Sequence, residues 1–310
     1  MELGLLFALG AAFVWGAYIF LLKRSFSGYP PAGLTVLINA AAIAWFLPVT
    51  VATTDLEEAG LAGAAPAADP LGAPARIARS LTAVDPATVA VVAGTATATA
   101  AAFVLFLRAI EGGDVSYVTP INKVVPMFVL PLEVLLLGQV LAPVQVAGVV
   151  VATAAVYVAN YEPGSLLAPL VGAVHSRPAQ LALVSAACYA VSDLGKRVAL
   201  QELAIPGTLW VPLLLVGVGL VLLPAAIRNP PAVTRRDAPK FLAVGALVAL
   251  GEHLTTVAFA SLPASVASPV INTQAIVAVV LGGVVLGERY FRVRLVAALL
   301  AVVGVSMIAL

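Results

Sequence analysis

AIEGGDVSYVTPINKVVPMFVLPLEVLLLGQVLAPV, residues 109–144, reads without a gap against AFASLPASVASPVINTQAIVAVVLGGVVLGERYFRV, residues 258–293. Ser116 stands opposite Ser265, Pro120 opposite Pro269, Leu137-Gly138 opposite Leu286-Gly287, and Val144 opposite Val293. Each copy passes from a small-residue turn into an apolar segment with a proline near its start. It then crosses a Leu-Gly-Gln or Leu-Gly-Glu turn and enters a second apolar segment. In a chain rich in Ala, Val, Leu and Gly, scattered identities carry little. The shared register and the matched order of turn and apolar run carry the argument. Internal symmetry of this kind in a membrane chain points to a transporter built from structural repeats.

Composition supplies the membrane. The chain has 310 residues, of which 62% are hydrophobic and 10% charged, with a mean hydropathy of +1.09. Soluble domains average nearer half apolar and a quarter charged. A net charge of +1 with no basic face argues against nucleic acid as a partner. The single cysteine, Cys188, excludes an intramolecular disulfide, and so few soft ligands argue against a zinc site. No cofactor is implied. The basic pair Lys23-Arg24 follows the first apolar run instead of preceding it, the order of a retained first membrane helix and not of a secretory signal.

Ten apolar spans of about 20 residues, the length that crosses hydrocarbon, fall near 3–22, 32–52, 86–107, 115–136, 143–160, 179–196, 207–227, 240–260, 265–286 and 293–310. All are expected to be helices, since backbone polar groups in lipid must bond within their own segment. The expected fold is therefore all-α and integral to the membrane, with ten transmembrane helices in two inverted five-helix repeats. Residues 1–160 form the first repeat, with a polar linker at 53–85. Residues 161–178 connect, and 179–310 form the second. The halves match further: Lys23-Arg24 and Lys196-Arg197 close their first spans, and Pro31 and Pro206 open their second. Five is odd, so the second half enters the membrane in the opposite sense. Both repeats lie in one chain, so a monomer is expected.

The sequence resembles a ten-helix, EamA-type member of the drug/metabolite transporter superfamily. The residues that carry the resemblance are Trp15-Gly16 with Lys23, and Ala109 to Ser116 leading to Pro120. In the second half they are Ser261-Leu262-Pro263-Ala264-Ser265 leading to Pro269, then Leu286-Gly287-Glu288. Two features depart from it: the first turn reads Leu137-Gly138-Gln139, and the linker at 53–85 is long. The resemblance implies secondary transport or facilitated exchange of small metabolites across the cytoplasmic membrane, often export, without ATP. It also implies both termini inside. It assigns no substrate ligand.

The residues themselves supply a candidate site. A charge inside hydrocarbon costs at least about 2.5–3.5 kcal/mol on insertion scales, so each intramembrane charge is a functional candidate. Lys123, next to Asn122, lies in the fourth span, and Asn272 and Gln274 occupy the matched region of the ninth. Trp15 and Tyr18 mark the first span and Asn39 the second. These seven are the expected substrate-binding residues. Glu252, with His253 beside it near the middle of the eighth span, is the expected proton-coupling pair. A Lys123–Glu252 pairing would yield to substrate and free Glu252 to take up a proton. Pro120 and Pro269 are the expected hinges, at matched depths in two spans that face each other across the repeat axis. Asp193 and Lys196 read as a local pair near the interface. Asn272 and Gln274 read equally well as interhelical hydrogen-bond glue.

Other classes fit less well. Glu252-His253 is not a His-Glu-x-x-His motif, and no Walker-type phosphate loop or Gly-x-Ser-x-Gly elbow is present. A channel or structural membrane protein is the alternative, with an intramembrane enzyme behind it. No ring of like charges or carbonyl filter is legible. The partners implied are a small-molecule substrate, the lipid bilayer and protons as coupling ion. Arginine and lysine crowd the side opposite the termini: Lys23, Arg24, Arg108, Arg177, the loop from Arg228 to Lys240, and Arg289 to Arg294. The side of the termini holds Arg76, Arg79, Lys196 and Arg197. The positive-inside rule then places both termini outside, against the family expectation.

Overall fold

A computed structural model describes residues 2–53, 85–137, 142–159, 175–262, 264–288 and 290–308. Most of the linker, the first Leu-Gly-Gln turn and most of the connection between halves lie outside these. The described residues form helices without strands. In chain order they are α1 (Glu2–Phe26), α2 (Pro31–Thr53), α3 (Pro86–Gly112), α4 (Val115–Asn122), α5 (Val125–Leu137), α6 (Pro143–Ala159), α7 (Arg177–Arg197), α8 (Gly207–Arg228), α9 (Ala238–Ser261), α10 (Ala264–Asn272), α11 (Gln274–Val285) and α12 (Phe291–Ile308). Among the described residues, six stretches are long and apolar enough to cross a membrane by length and composition. The outward faces are apolar as well. Leu3, Phe13, Leu220, Ile227 and Val284 are 63–69% exposed, a surface suited to lipid and not to water.

The fourth and ninth expected spans are each broken into two helices, α4/α5 and α10/α11, at positions the repeat alignment pairs. The causes differ. Pro126 has no N–H to give the Asn122 carbonyl four residues back, and it disfavours helical backbone at the residue before it. The chain tightens instead, with the Met127 amide bonding the Val124 carbonyl at 2.9 Å. In the second half, Thr273 turns its hydroxyl onto the Val270 carbonyl at 2.7 Å, competing with the helical ladder. Its amide bonds the same carbonyl at 3.1 Å. Pro120 and Pro269, both buried, lie about one turn before their breaks.

The packing repeats itself when the halves are exchanged. α1 lies on α9 as α7 lies on α3, while α2 packs on its own counterpart α8 and α6 on α12. α4 crosses onto α11 and α5 onto α10, so the two broken spans meet at the centre. Gly16 makes the α1–α11 approach possible. A Cβ there would stand 2.5 Å from the Val277 Cβ and 2.9 Å from the Gln274 carbonyl oxygen.

The helix ends follow the same exchange with different chemistry. Lys23 donates to the Ile110 and Gly113 carbonyls at the end of α3, the latter at 3.0 Å. The carbonyls paired with these in the repeat alignment belong to Phe259 and Leu262, and Gln201 donates to them at 2.8 and 3.2 Å. Both side chains satisfy carbonyls a helix C-terminus leaves open. Gln201, and not Lys196, is therefore the structural counterpart of Lys23. The sequence match of Lys23-Arg24 with Lys196-Arg197 fails because α7 continues into a π-helical turn, Val198–Glu202. That turn carries the capping position past Arg197 and leaves Lys196 inside the bundle.

The Leu286-Gly287-Glu288 turn also reaches across the halves. Gly287 takes φ +66°, a conformation glycine adopts at no steric cost. Glu288 then receives the Val115 and Ser116 amides at 2.9 and 2.8 Å, capping the N-terminus of α4 with a carboxylate where the helix dipole favours negative charge. Arg294 donates beside it to Asp114 at 2.6 Å and to Ser116 at 3.0 Å.

Candidate functional site: a charged cavity at the crossing of the broken helices

A cavity of about 120 Å³ opens where α4/α5 and α10/α11 meet, walled also by α1, α2, α3, α7, α8 and α9. Of the seven expected substrate-binding residues, six line it: Trp15, Tyr18, Asn39, Lys123, Asn272 and Gln274. Asn122 does not. It is fully buried, and its amide donates to the Ser185 hydroxyl at 2.9 Å and the Ala182 carbonyl at 3.2 Å, fixing α4 to α7. Successive residues of a helix point about 100° apart, so Lys123 and Asn122 do not share a face.

The walls are aromatic and hydrogen-bonded. Trp15 donates its indole N–H to the Thr255 hydroxyl at 2.9 Å and meets Tyr18 edge to face at 5.5 Å. Tyr18 stacks on Phe103 at 5.9 Å. Gly251 leaves room for the indole, since a Cβ there would lie 2.9 Å from a Trp15 ring carbon. Asn39 donates to the Leu215 carbonyl at 3.2 Å, and Asn272 donates to the Ser268 carbonyl at 2.9 Å.

The charges are arranged differently from the sequence expectation. Glu252 lines the cavity, but its cation is Lys196, with Nζ 3.9 Å from Oε2. That contact is longer than a hydrogen bond, and Oε2 accepts none. No Lys123–Glu252 pair forms. The ammonium of Lys123 lies over the rings of Tyr189 and Phe106, 4.8 and 5.3 Å from their centroids. Asp193 and Lys196, expected as a local pair near the interface, both line the cavity instead and act on each other through space without an ion-pair contact. Lys196 faces Glu252, and Asp193 accepts from the Ser268 hydroxyl at 3.4 Å. The π turn explains this too, since α7 reaches its end a full turn later than the Lys-Arg pair suggests. His253 is absent from the cavity lining; its ring lies 5.6 Å from that of Phe46 on α2.

Tyr189 and Ser268 are cavity residues the sequence reading did not single out. One signal was available. Asp193 and Lys196 sit three apart in a span whose following break comes only at Pro206. Among the described residues no cluster of His, Cys, Asp and Glu could hold a metal ion.

A cavity of polar and charged groups, buried where two broken helix pairs cross in an internally repeated bundle with an apolar exterior, defines a membrane-transporter architecture. The EamA-like transporter family model matches residues 2–161 and again 177–310, and the chain belongs to that family, within the drug/metabolite transporter superfamily. Members of the family are transporters, not enzymes, and the apolar helices fit a multi-pass membrane protein. No curated protein matches the chain. Twenty-one chains of known structure match. One, described only as the crystal structure of a protein, is similar with a TM-score of 0.64 at 16% identity, covering 99% of this chain and 95% of its own. At that identity the likeness speaks for the fold alone.

Proposed function

We propose that the chain is a secondary transporter with ten membrane spans in two inverted five-span halves, moving a small metabolite across the cytoplasmic membrane by alternating access. The observation that carries this is the cavity itself: four formal charges held at the crossing of two helices broken at matched positions. Trp15, Tyr18, Asn39, Lys123, Asn272 and Gln274 form the solute site. Pro120 and Pro269 give each broken helix a second point of weakened hydrogen bonding, so one half can rock against the other about the centre.

Glu252 is the proton-coupling residue in this reading. The supporting feature is its buried Oε2, which accepts no hydrogen bond and so leaves room for a proton. His253 lies outside the cavity lining beside Phe46, next in sequence to Glu252, where it tunes that carboxylate without binding solute. Reconstituted protein, with a substrate found by thermal-shift screening of a metabolite library, tests both parts. A carrier shows uptake stimulated by substrate inside the vesicle, and a channel does not. Glu252→Gln retains that exchange and loses accumulation driven by a pH gradient; accumulation equal to the parent's would sink the coupling role. The charge count places both termini outside. A C-terminal reporter active only in the cytoplasm stays silent on that reading, and activity overturns it.

A further inference from the structure

Among the described residues Lys123 is a buried cation without a bonded acceptor; Asp193 acts on it only through space. Lys23 bonds the carbonyls at the end of α3, and Lys196 faces Glu252. Lys123 is only 7% exposed, yet among the described residues its ammonium has ring contacts and neither a hydrogen bond nor an ion pair. Cation–π contact compensates part of the lost hydration. An ammonium still carries three donors, and burying them unbonded is costly. These donors border the cavity.

The backbone adds to this. Lys123 lies at the break, two residues before the first residue of α5, a 13-residue helix. The positive end of that helix's dipole faces the same region. A broken helix starting at the centre of a transporter is a recurrent way to hold an anionic group.

The charge balance narrows the class of anion. Lys123, Lys196, Asp193 and Glu252 line one small cavity, and their formal charges sum to zero. Lys196 is already matched by Glu252. Asp193 acts on Lys123 through space but accepts its hydrogen bond from Ser268, so the donors of Lys123 stay unbonded, and a cavity of zero net charge takes a singly charged anion at less cost than a doubly charged phosphate. Phe103, Phe106 and Tyr189 add an apolar wall that an inorganic ion cannot use. We infer that the transported solute carries a single carboxylate on an apolar or aromatic body, and that the carboxylate docks on Lys123 before the N-terminus of α5. This inference rests on the carrier reading above and names its substrate class.

Thermal stabilisation of the purified full chain tests it with defined probes: benzoate, acetate, inorganic phosphate and benzylamine, each against a chloride baseline. Benzoate stabilises the parent and Lys123→Arg, phosphate and benzylamine do not, and acetate acts only weakly. Lys123→Met binds benzoate at least tenfold more weakly than the parent. Equal benzoate binding by Lys123→Met overturns the inference, as does stabilisation by benzylamine in place of benzoate, or silence toward all carboxylates. Should Lys123→Met fail to fold, the parent alone decides through acylation of Lys123 by an amine-reactive reagent, read by mass spectrometry. Benzoate must slow that modification at least fivefold, and an unchanged rate overturns the inference. Failure of the carrier reading shows separately, as absence of trans-stimulated exchange whatever the probes do.

Discussion

Replacing Glu288 tests whether the Leu-Gly-Glu turn acts as a helix cap. The carboxylate receives two backbone amides from α4, at 2.9 and 2.8 Å. Hydrogen bonds to charged groups contribute about 1.5–3 kcal/mol each, and the dipole contribution of a negative group at a helix start is about 0.3–1 kcal/mol. Glu288 is half-buried, so the lower ends of these ranges apply. Glu288→Ala loses both bonds and the charge, about 3 kcal/mol. Glu288→Gln keeps one acceptor oxygen and loses about half of that. At roughly 2 °C per kcal/mol for a chain of this size, the melting temperature falls by about 6 °C for Ala and about 3 °C for Gln. Heating detergent-solubilised protein and measuring the fraction that remains monodisperse on a sizing column gives the order. Glu111→Gln, at an exposed acid one turn earlier, serves as control and stays within about 1 °C. The reasoning is refuted if Ala and Gln variants both match that control, or if Gln is the more destabilised.

Other outcomes follow from the same contacts. Lys196→Met strands the Glu252 carboxylate and costs about 3–5 kcal/mol, and adding Glu252→Gln recovers at least half, read as a double-mutant cycle in thermal stability. Gly16→Ala forces α1 from α11, because the added carbon meets the Gln274 backbone as well as Val277; a loss of about 1–3 kcal/mol is expected from overpacking, and a neutral result would show that the helices are not that close. Lys23→Met costs more than Gln201→Leu, though both remove two bonds to matched carbonyls, because only the lysine carries charge onto a helix C-terminus. Equal losses in melting temperature would contradict that.

The repeat was legible because its register survives without gaps from Ala109 and from Ala258, and the family match covers both halves. The breaks were less so. Pro120 and Pro269 drew attention as obvious helix disruptors, while Pro126, where the first pair of helices parts, drew none, and Thr273 stood out only as a polar neighbour of Asn272 and Gln274. The misplacement of Lys196 has one cause. Sequence spacing takes a helix to end at its basic pair, and it cannot show that a π turn adds a further stretch of backbone before the bundle closes. Lys123 and Glu252 were identified from cost alone, since a charge in hydrocarbon demands a reason. Which charge faces which depends on the rotation of three helices, and linear order does not encode that.

The exchange symmetry of the packing bears on energy as well as shape. In a carrier that alternates, the two end states arise by the halves trading roles. A bundle whose contacts were identical under that trade would hold both states at one energy, and an unloaded carrier would face either side equally often. Any resting preference must therefore come from positions where the halves differ in chemistry while agreeing in place. Lys23 and Gln201 are such a pair, one charged and one neutral on corresponding carbonyls. A substitution there, far from the cavity, would tilt the carrier toward one face without touching what it recognises.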